Sequence, residues 1–189
     1  MPLQMDPSCN TLNSLQKHEI RSLYDRASAL LTLAHTAIMR IGFDESEQQR
    51  FSRWFGTYSK ASMVPMKQNI HDLHNALVTQ NCFITWCHDG ALPNGQVAPH
   101  TANAAVFKHQ SQLQIYIFPH FFTQGLNGMV SEAGTIIHEL SHCVLSTRDH
   151  CYRQAACQEL ARSNPLFARA NADSYRMYCE EFQNRVPWR

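Results

Sequence analysis

GTIIHELSHCVLSTRDHCY, from Gly134 to Tyr152, is the stretch on which the reading of this chain turns. It sets two histidines four apart with a glutamate directly after the first: His138-Glu139-Leu140-Ser141-His142. On a helix, residues four apart lie about 40° apart around the axis and one turn above each other, so both imidazoles aim at one point. Glu139 points roughly 100° from His138, near enough to reach a water on a metal but not a first choice as ligand. Ile137, Leu140 and Val144 fall on the opposite side, so the helix has a core face and a ligand face. Two histidines do not complete the site, because catalytic zinc takes three protein ligands and keeps a fourth position for water.

The third ligand has to come from beyond His142 or from elsewhere in the fold. The elongated zinc motif that adds a glycine and then a histidine is absent: CVLSTRDH has no glycine, and its histidine, His150, falls eight residues on. Asp149, seven residues after His142, is the better candidate. On an unbroken helix it would sit about 10 Å above His142, too far to share an ion. The helix must therefore break near Leu145 to Thr147 and fold back, and Ser146 and Thr147 favour a turn there.

Working outward, apolar residues recur at helical spacing from Leu15 to Ile41, which predicts a long core helix closed by Gly42. A shorter helix over Glu45 to Phe55 ends at Gly56, and Pro65 is read as opening a third. The middle reads as a small antiparallel or mixed sheet: Cys82 to Trp86, Ala104 to Lys108, and Gln112 to Phe118 with its alternating Leu113, Ile115 and Ile117. A loop through Gln124 to Gly128 follows. Asn164 and Pro165 are then a cap and first-turn pair for a last helix carrying Phe167, Ala170, Tyr175, Tyr178 and Phe182. The expectation is one α+β domain over residues 1–189: N-terminal helices in 11–80, a sheet in 82–118 and a catalytic helical part in 131–183.

At 189 residues the chain is long enough to bury a core without metals or crosslinks. Lys+Arg 16 against Asp+Glu 15 leaves no basic stripe or acidic tail, which argues against nucleic-acid and membrane partners. MPLQMDPSCNTLNSLQKHEI lacks a secretory signal, and ALLTLAHTAIM is too short to span a bilayer. Seven cysteines is an odd number, so at least one thiol stays unpaired. Cys151 and Cys157 on one helix would lie roughly 9 Å apart, beyond disulfide reach. A disulfide framework would favour export by a route without a classical signal, or a mature form whose leader is missing; reduced buried cysteines are the alternative, and a cytoplasmic location stays open.

Three ordered blocks carry a resemblance. Gly134-Thr135-x-x-His138-Glu139-Leu140-Ser141-His142, then Ser146-Thr147-x-Asp149-x-x-Tyr152, then Asn171-Ala172-Asp173, closely resemble the aspzincin metalloendopeptidases, the deuterolysin and peptidyl-lysine metalloendopeptidase group. The resemblance implies a zincin-like, mostly helical α+β fold with an HExxH active-site helix. It implies one Zn²⁺ held by His138, His142 and Asp149, with Glu139 as catalytic base and Tyr152 helping to stabilise the transition state. It also implies a bridge from Cys9 to Cys82. Two departures stand out. Glycines that flank the aspartate segment in the family are Ser146 and Arg153 here, so the turn is made without glycine's freedom. Members that cleave before lysine share Asp173 but carry a glutamate where this chain has Arg176, whose charge should repel a lysine side chain. Asp173 is either a partner for a ligand histidine or part of the substrate pocket.

The expected protein is an exported monomer acting on protein or peptide substrates, a toxin or effector among the forms that would take. The alternatives are a zinc hydrolase of another amide, such as cell-wall peptide, and a protein-binding module with a structural or decayed site. His71 and His74 are read as a polar helix surface, and His88, His100, His109 and His120 as loop residues. The strand from Gln112 to Phe118 is a candidate edge for an extended substrate.

Overall fold

The computed structural model describes residues 3–79, 81–92, 94–99, 102–109, 112–123 and 131–186; the loop read through Gln124 to Gly128 and His100 lie outside them. The N-terminal third is helical, as the periodicity predicts. Helix α1 spans Ser14–Met39, opened by an Asn13–Gln16 capping box, and buries Ile20, Leu23, Ala27, Leu30, Leu31, Ala34 and Ile38. Helix α2 spans Glu45–Phe55 behind the Asp44 cap, and Gly56 ends it at φ 82. Helix α3 spans Lys60–His74. Its start corrects the expectation that Pro65 opens it: a Ser59–Ser62 capping box satisfies the first N–H groups, and Pro65 is carried inside the helix.

The sheet is mixed and four-stranded, in the order β1-β2-β4-β3, with β1 Gln4–Met5, β2 Asn81–Trp86, β3 Ala104–His109 and β4 Gln112–Ile117. β2 runs parallel to both β1 and β4, while β3 is antiparallel to β4. The Gln112 strand is therefore interior, paired on both sides; the edges are β1 and β3, and β3 packs against the helix described next. His109 accordingly ends a strand rather than lying in a loop.

Helix α4, Glu132–Leu145, carries His138, Glu139 and His142. Helices α5 (Gln154–Ser163), α6 (Pro165–Arg169) and α7 (Ala172–Glu180) follow. The single last helix expected from Pro165 is thus two, broken at Ala170–Asn171, because Asn171 leaves helical geometry to form a parallel bridge with Arg148. α7 is buried along its whole length. Tyr175 and Tyr178 pack their rings, tilted, against Phe55 of α2 at centroid distances of 5.2 and 5.3 Å. Opposite, α7 meets α4 so closely that a methyl group on Gly134 would strike the Glu180 carboxylate.

Glu132, at the start of α4, is buried, and neither carboxylate oxygen has a hydrogen-bond partner among the described residues. Burial, helped by the charge of Glu19, pushes its carboxyl from 4.5 up to about 7. Below pH 4.5 the group is protonated in folded and unfolded chains alike and has no effect. As pH rises toward 7 the unfolded chain releases the proton first, so folding loses stability across that window and then stays level. Glu132→Gln should leave stability unchanged near pH 4 and raise it above pH 7, as read by urea denaturation at both. An equal effect at the two pH values would remove the ionisation as its cause.

Candidate metal centre

The centre is assembled by the way α4 ends. Ser146 takes left-handed backbone, φ 56 and ψ 35, while its N–H donates to the His142 and Ser141 carbonyls. The chain turns back, and the Arg148 N–H donates to the Ala170 carbonyl at 2.8 Å while the Ala172 N–H donates to the Arg148 carbonyl at 3.0 Å. The side-chain oxygen of buried Asn171 accepts from the His150 and Cys151 N–H groups at 2.9 and 3.2 Å. These bonds hold residues 148–151 above the ligand face of α4, which is the fold-back that the spacing of Asp149 requires.

Asp149 Oδ1 consequently lies 3.1 Å from His138 Nε2 and 3.3 Å from His142 Nε2, and the two Nε2 atoms are 3.1 Å apart. The outer ring nitrogens face acceptors. His138 Nδ1 is 2.8 Å from Asp173 Oδ1, and His142 Nδ1 is 2.9 Å from the Thr147 carbonyl oxygen. Each Nδ1 therefore donates a proton outward, which leaves each Nε2, once any proton on it is lost, with its lone pair in the triangle. A tetrahedral zinc with donors at about 2.0–2.1 Å spaces them about 3.3 Å apart, so the three atoms fit such an ion. Among the described residues, this is the group of three such side chains able to hold a metal.

The electrostatics show the same demand for positive charge. Burial works against a charged His138, yet hydrogen bonds to Asp149 and Asp173 outweigh it and bring the imidazole up to about 9. The hydrogen bond from His138 holds Asp149 down at about 2 against its burial. Metal and proton compete for the same seat. Half-buried Glu139 is pushed up by desolvation, opposed by the two histidines. Tyr152 stacks its ring over His138 at 6.1 Å, and burial followed by its hydrogen bond to Asp149 raises the phenol to about 12, keeping it a proton donor.

Asp173 is buried behind His138; its second oxygen accepts the Arg153 N–H at 2.9 Å, and Arg176 Nη1 lies 3.8 Å from the first. Asp173 is thus placed as a hydrogen-bond partner of His138. Arg176 is buried too, donating to the Ser131 carbonyl at 3.0 Å and lying 3.4 Å from Glu180. Asn171 and the Thr147 carbonyl, which position the loop and orient His142, were given no role by sequence reading. The available signal was an Asn-Ala-Asp run interrupting an apolar helical pattern.

A family description, lysine-specific metallo-endopeptidase, matches residues 41–180. The chain belongs to the aspzincin M35 family. It is 31% identical over 157 residues to a peptidyl-Lys metalloendopeptidase of Pleurotus ostreatus, covering 82% of this chain and 86% of that one. It is 29% identical over 168 residues to an extracellular protease of Aeromonas hydrophila, covering 87% of this chain but only 44% of the relative. In fold it is similar to a zinc peptidase from Grifola frondosa, with a TM-score of 0.65 at 24% identity, covering 89% of this chain and 96% of the other.

Other expectations change. In this aspzincin Cys9 and Cys82 are both buried and unbridged, with the Cys9 thiol donating to the Ile84 carbonyl at 3.4 Å. His71 and His74 are not a solvated surface: His71 Nδ1 lies 3.2 Å from His35 Nε2 of α1, and the His74 ring stacks on His35 at 4.7 Å. Burial lowers the pKa of His35 and of His74, which favours their neutral forms where α1 packs on α3.

The two positions where the aspzincin pattern has glycine, Ser146 and Arg153, are the two non-glycine residues with positive φ among the described residues. Arg153, at φ 70 and ψ 158, occupies a region almost reserved for glycine, at a cost of about 1–3 kcal/mol. Glycine there would relieve that cost and lose about 0.5–1 kcal/mol through its freer unfolded chain. Arg153→Gly, which keeps the N–H that Asp173 accepts, should therefore stabilise the fold by about 1 kcal/mol. Urea titrations at fixed metal concentration measure it; a destabilised variant would show that the arginine side chain outweighs the strain.

Proposed function

We propose that this aspzincin is a zinc-dependent endopeptidase that hydrolyses internal peptide bonds of proteins, with His138, His142 and Asp149 holding the ion. The observation that carries the reading is the convergence of three lone-pair donors within 3.3 Å, two of them fixed as Nδ1–H imidazoles by Asp173 and Thr147. When bound, zinc supplies Lewis acidity, making water easier to deprotonate and polarising the scissile carbonyl.

The chain's own groups do the rest. Glu139 follows His138 on the same helix, and its burial makes it basic enough to take a proton from the attacking water and return it to the leaving amine. Tyr152, more than half exposed and still protonated at neutral pH, donates its hydroxyl to the oxygen on which negative charge develops. Asp173 keeps the His138 imidazole oriented and balances its charge. The β3 edge beside α4 offers backbone groups along which an extended peptide can lie. No helix among the described residues is long and apolar enough to cross a membrane. The Aeromonas relative is named as extracellular, which supports export for this chain as well.

Glu139→Gln should cut kcat by about 10²–10⁴-fold with zinc content unchanged. Asp149→Ala should lose zinc itself, as metal analysis of dialysed protein reads. Retained hydrolysis in the first variant sinks the assigned base; retained zinc affinity in the second removes Asp149 from the ligands. A zinc-loaded wild type that cleaves no protein would leave a binding module as the reading.

We further propose that the lysine preference named for the Pleurotus relative does not carry over. Asp173 spends its carboxylate on His138 and Arg153, and the positive Arg176 stands 3.8 Å from it, so no free negative charge remains there for a lysine. Mass-spectrometric mapping of cleavage sites in a denatured protein should show no enrichment of lysine on either side of the cut.

A further inference from the structure

Cys151 and Cys157 stand outside the donor triangle, and their sulfurs lie 3.5 Å apart. A helix running through both would hold them roughly 9 Å apart. Instead α5 begins only at Gln154, and the positive φ of Arg153 swings Cys151 back over its first turns. One buried side chain holds the pair: Asn171 Nδ2 is 3.5 Å from each sulfur, and Asn171 Oδ1 accepts the Cys151 N–H. Cys157 is fully buried while Cys151 is half-buried, so a reagent from solvent meets Cys151 first.

We propose that Cys151 and Cys157 form a disulfide-forming site, oxidised by a small disulfide such as oxidised glutathione, that ties the Asp149–Tyr152 loop to α5. The Cys151 thiolate attacks one sulfur of the oxidant; that S–S bond breaks, a mixed disulfide forms on Cys151, and the first glutathione leaves as a thiolate and takes up a proton. The Cys157 thiolate then attacks Cys151 Sγ, expelling the second glutathione, which is protonated in turn. Two thiols have lost two electrons and two protons, and the oxidant has become two thiols. Reaching a bonded separation of about 2.05 Å asks the sulfurs to close by about 1.5 Å, within reach of side-chain rotation. The crosslink closes a seven-residue ring that contains the strained Arg153 and restrains the unfolded chain there.

This site is independent of the hydrolytic reading, so either can fail alone. The full-length, folded chain is incubated with oxidised glutathione or with a reductant, alkylated and digested. The expected result is a linked peptide joining Cys151 to Cys157, lighter by two hydrogen atoms. The melting temperature of the oxidised sample should rise by roughly 5 °C. Both signals should vanish in Cys151→Ala, whose half-exposed position makes it the safer variant to fold, and in Cys157→Ala. Linked peptides that join only other cysteines, a glutathione adduct on Cys151 that never resolves, or an undiminished thermal gain in Cys151→Ala would overturn the proposal.

Discussion

Three electron-rich atoms held within 3.3 Å of one another are the constraint around which the rest of this structure is arranged. Without an ion, a proton between His138 and Asp149 holds two of them together, and a cation takes that seat and joins all three. α4 fixes two of them by spacing alone. The third, on Asp149, arrives by a left-handed turn at Ser146 and is kept in place by backbone bonds to Ala170 and Ala172 and by the side chain of Asn171. The histidines are then clamped from behind. A hydrogen bond to a charged partner such as Asp173 is worth about 1.5–3 kcal/mol, and the one to the Thr147 carbonyl about 1 kcal/mol. Together these are enough to select one tautomer and one ring orientation.

The Asp173 clamp works because it stands on the most buried helix of the fold. Asp173 opens α7, whose Tyr175 and Tyr178 are locked against Phe55, and Arg176 and Glu180 on the same helix reach the start of α4 around the bare backbone of Gly134. The aromatic core formed with α2 therefore positions the carboxylate behind His138 through a single rigid element. Asp173 is an isolated negative charge in a poor solvent unless it is met, and Arg153 N–H, His138 and nearby Arg176 meet it. Core packing and site geometry are one arrangement here, since tilting α7 would move both.

What was legible in the sequence was local. The period of α1, the glycine that ends α2 and the three strands follow from nearest neighbours along the chain, the break after Leu145 follows from the reach Asp149 needs, and the structure has them all. What was not legible depended on partners far away. The start of α3 was misplaced because Pro65 is a louder signal than the Ser59–Ser62 box, although the box satisfies more N–H groups. The interruption at Asn171 answers to Arg148, and no periodicity encodes that bridge. Whether Gln112–Ile117 lies at an edge depends on where Ala104–His109 pairs, which strand alternation leaves open. Cys151 and Cys157 were separated by assuming one continuous helix, when a positive φ at Arg153 ends the loop between them. Tyr152 stands out only through likeness to a family, whereas His138, Glu139 and His142 stand out by spacing.

The loop that brings Asp149 to the helix has its two positive-φ residues at its ends, Ser146 and Arg153, with the ligand and Tyr152 between them. A segment strained at both ends cannot owe its shape to local preference. Its geometry is imposed from outside, by Asn171 and Asp173 on one side and by attraction between the histidines and Asp149 on the other. Cation binding and loop ordering are then linked quantities: whatever free energy an ion gains from three converging donors also opposes the strain at Ser146 and Arg153. The non-glycine residues at these hinges shift part of the stability of the loop from the chain to the ion. That makes the order of residues 146–153 depend more steeply on metal occupancy than a glycine-hinged loop would require.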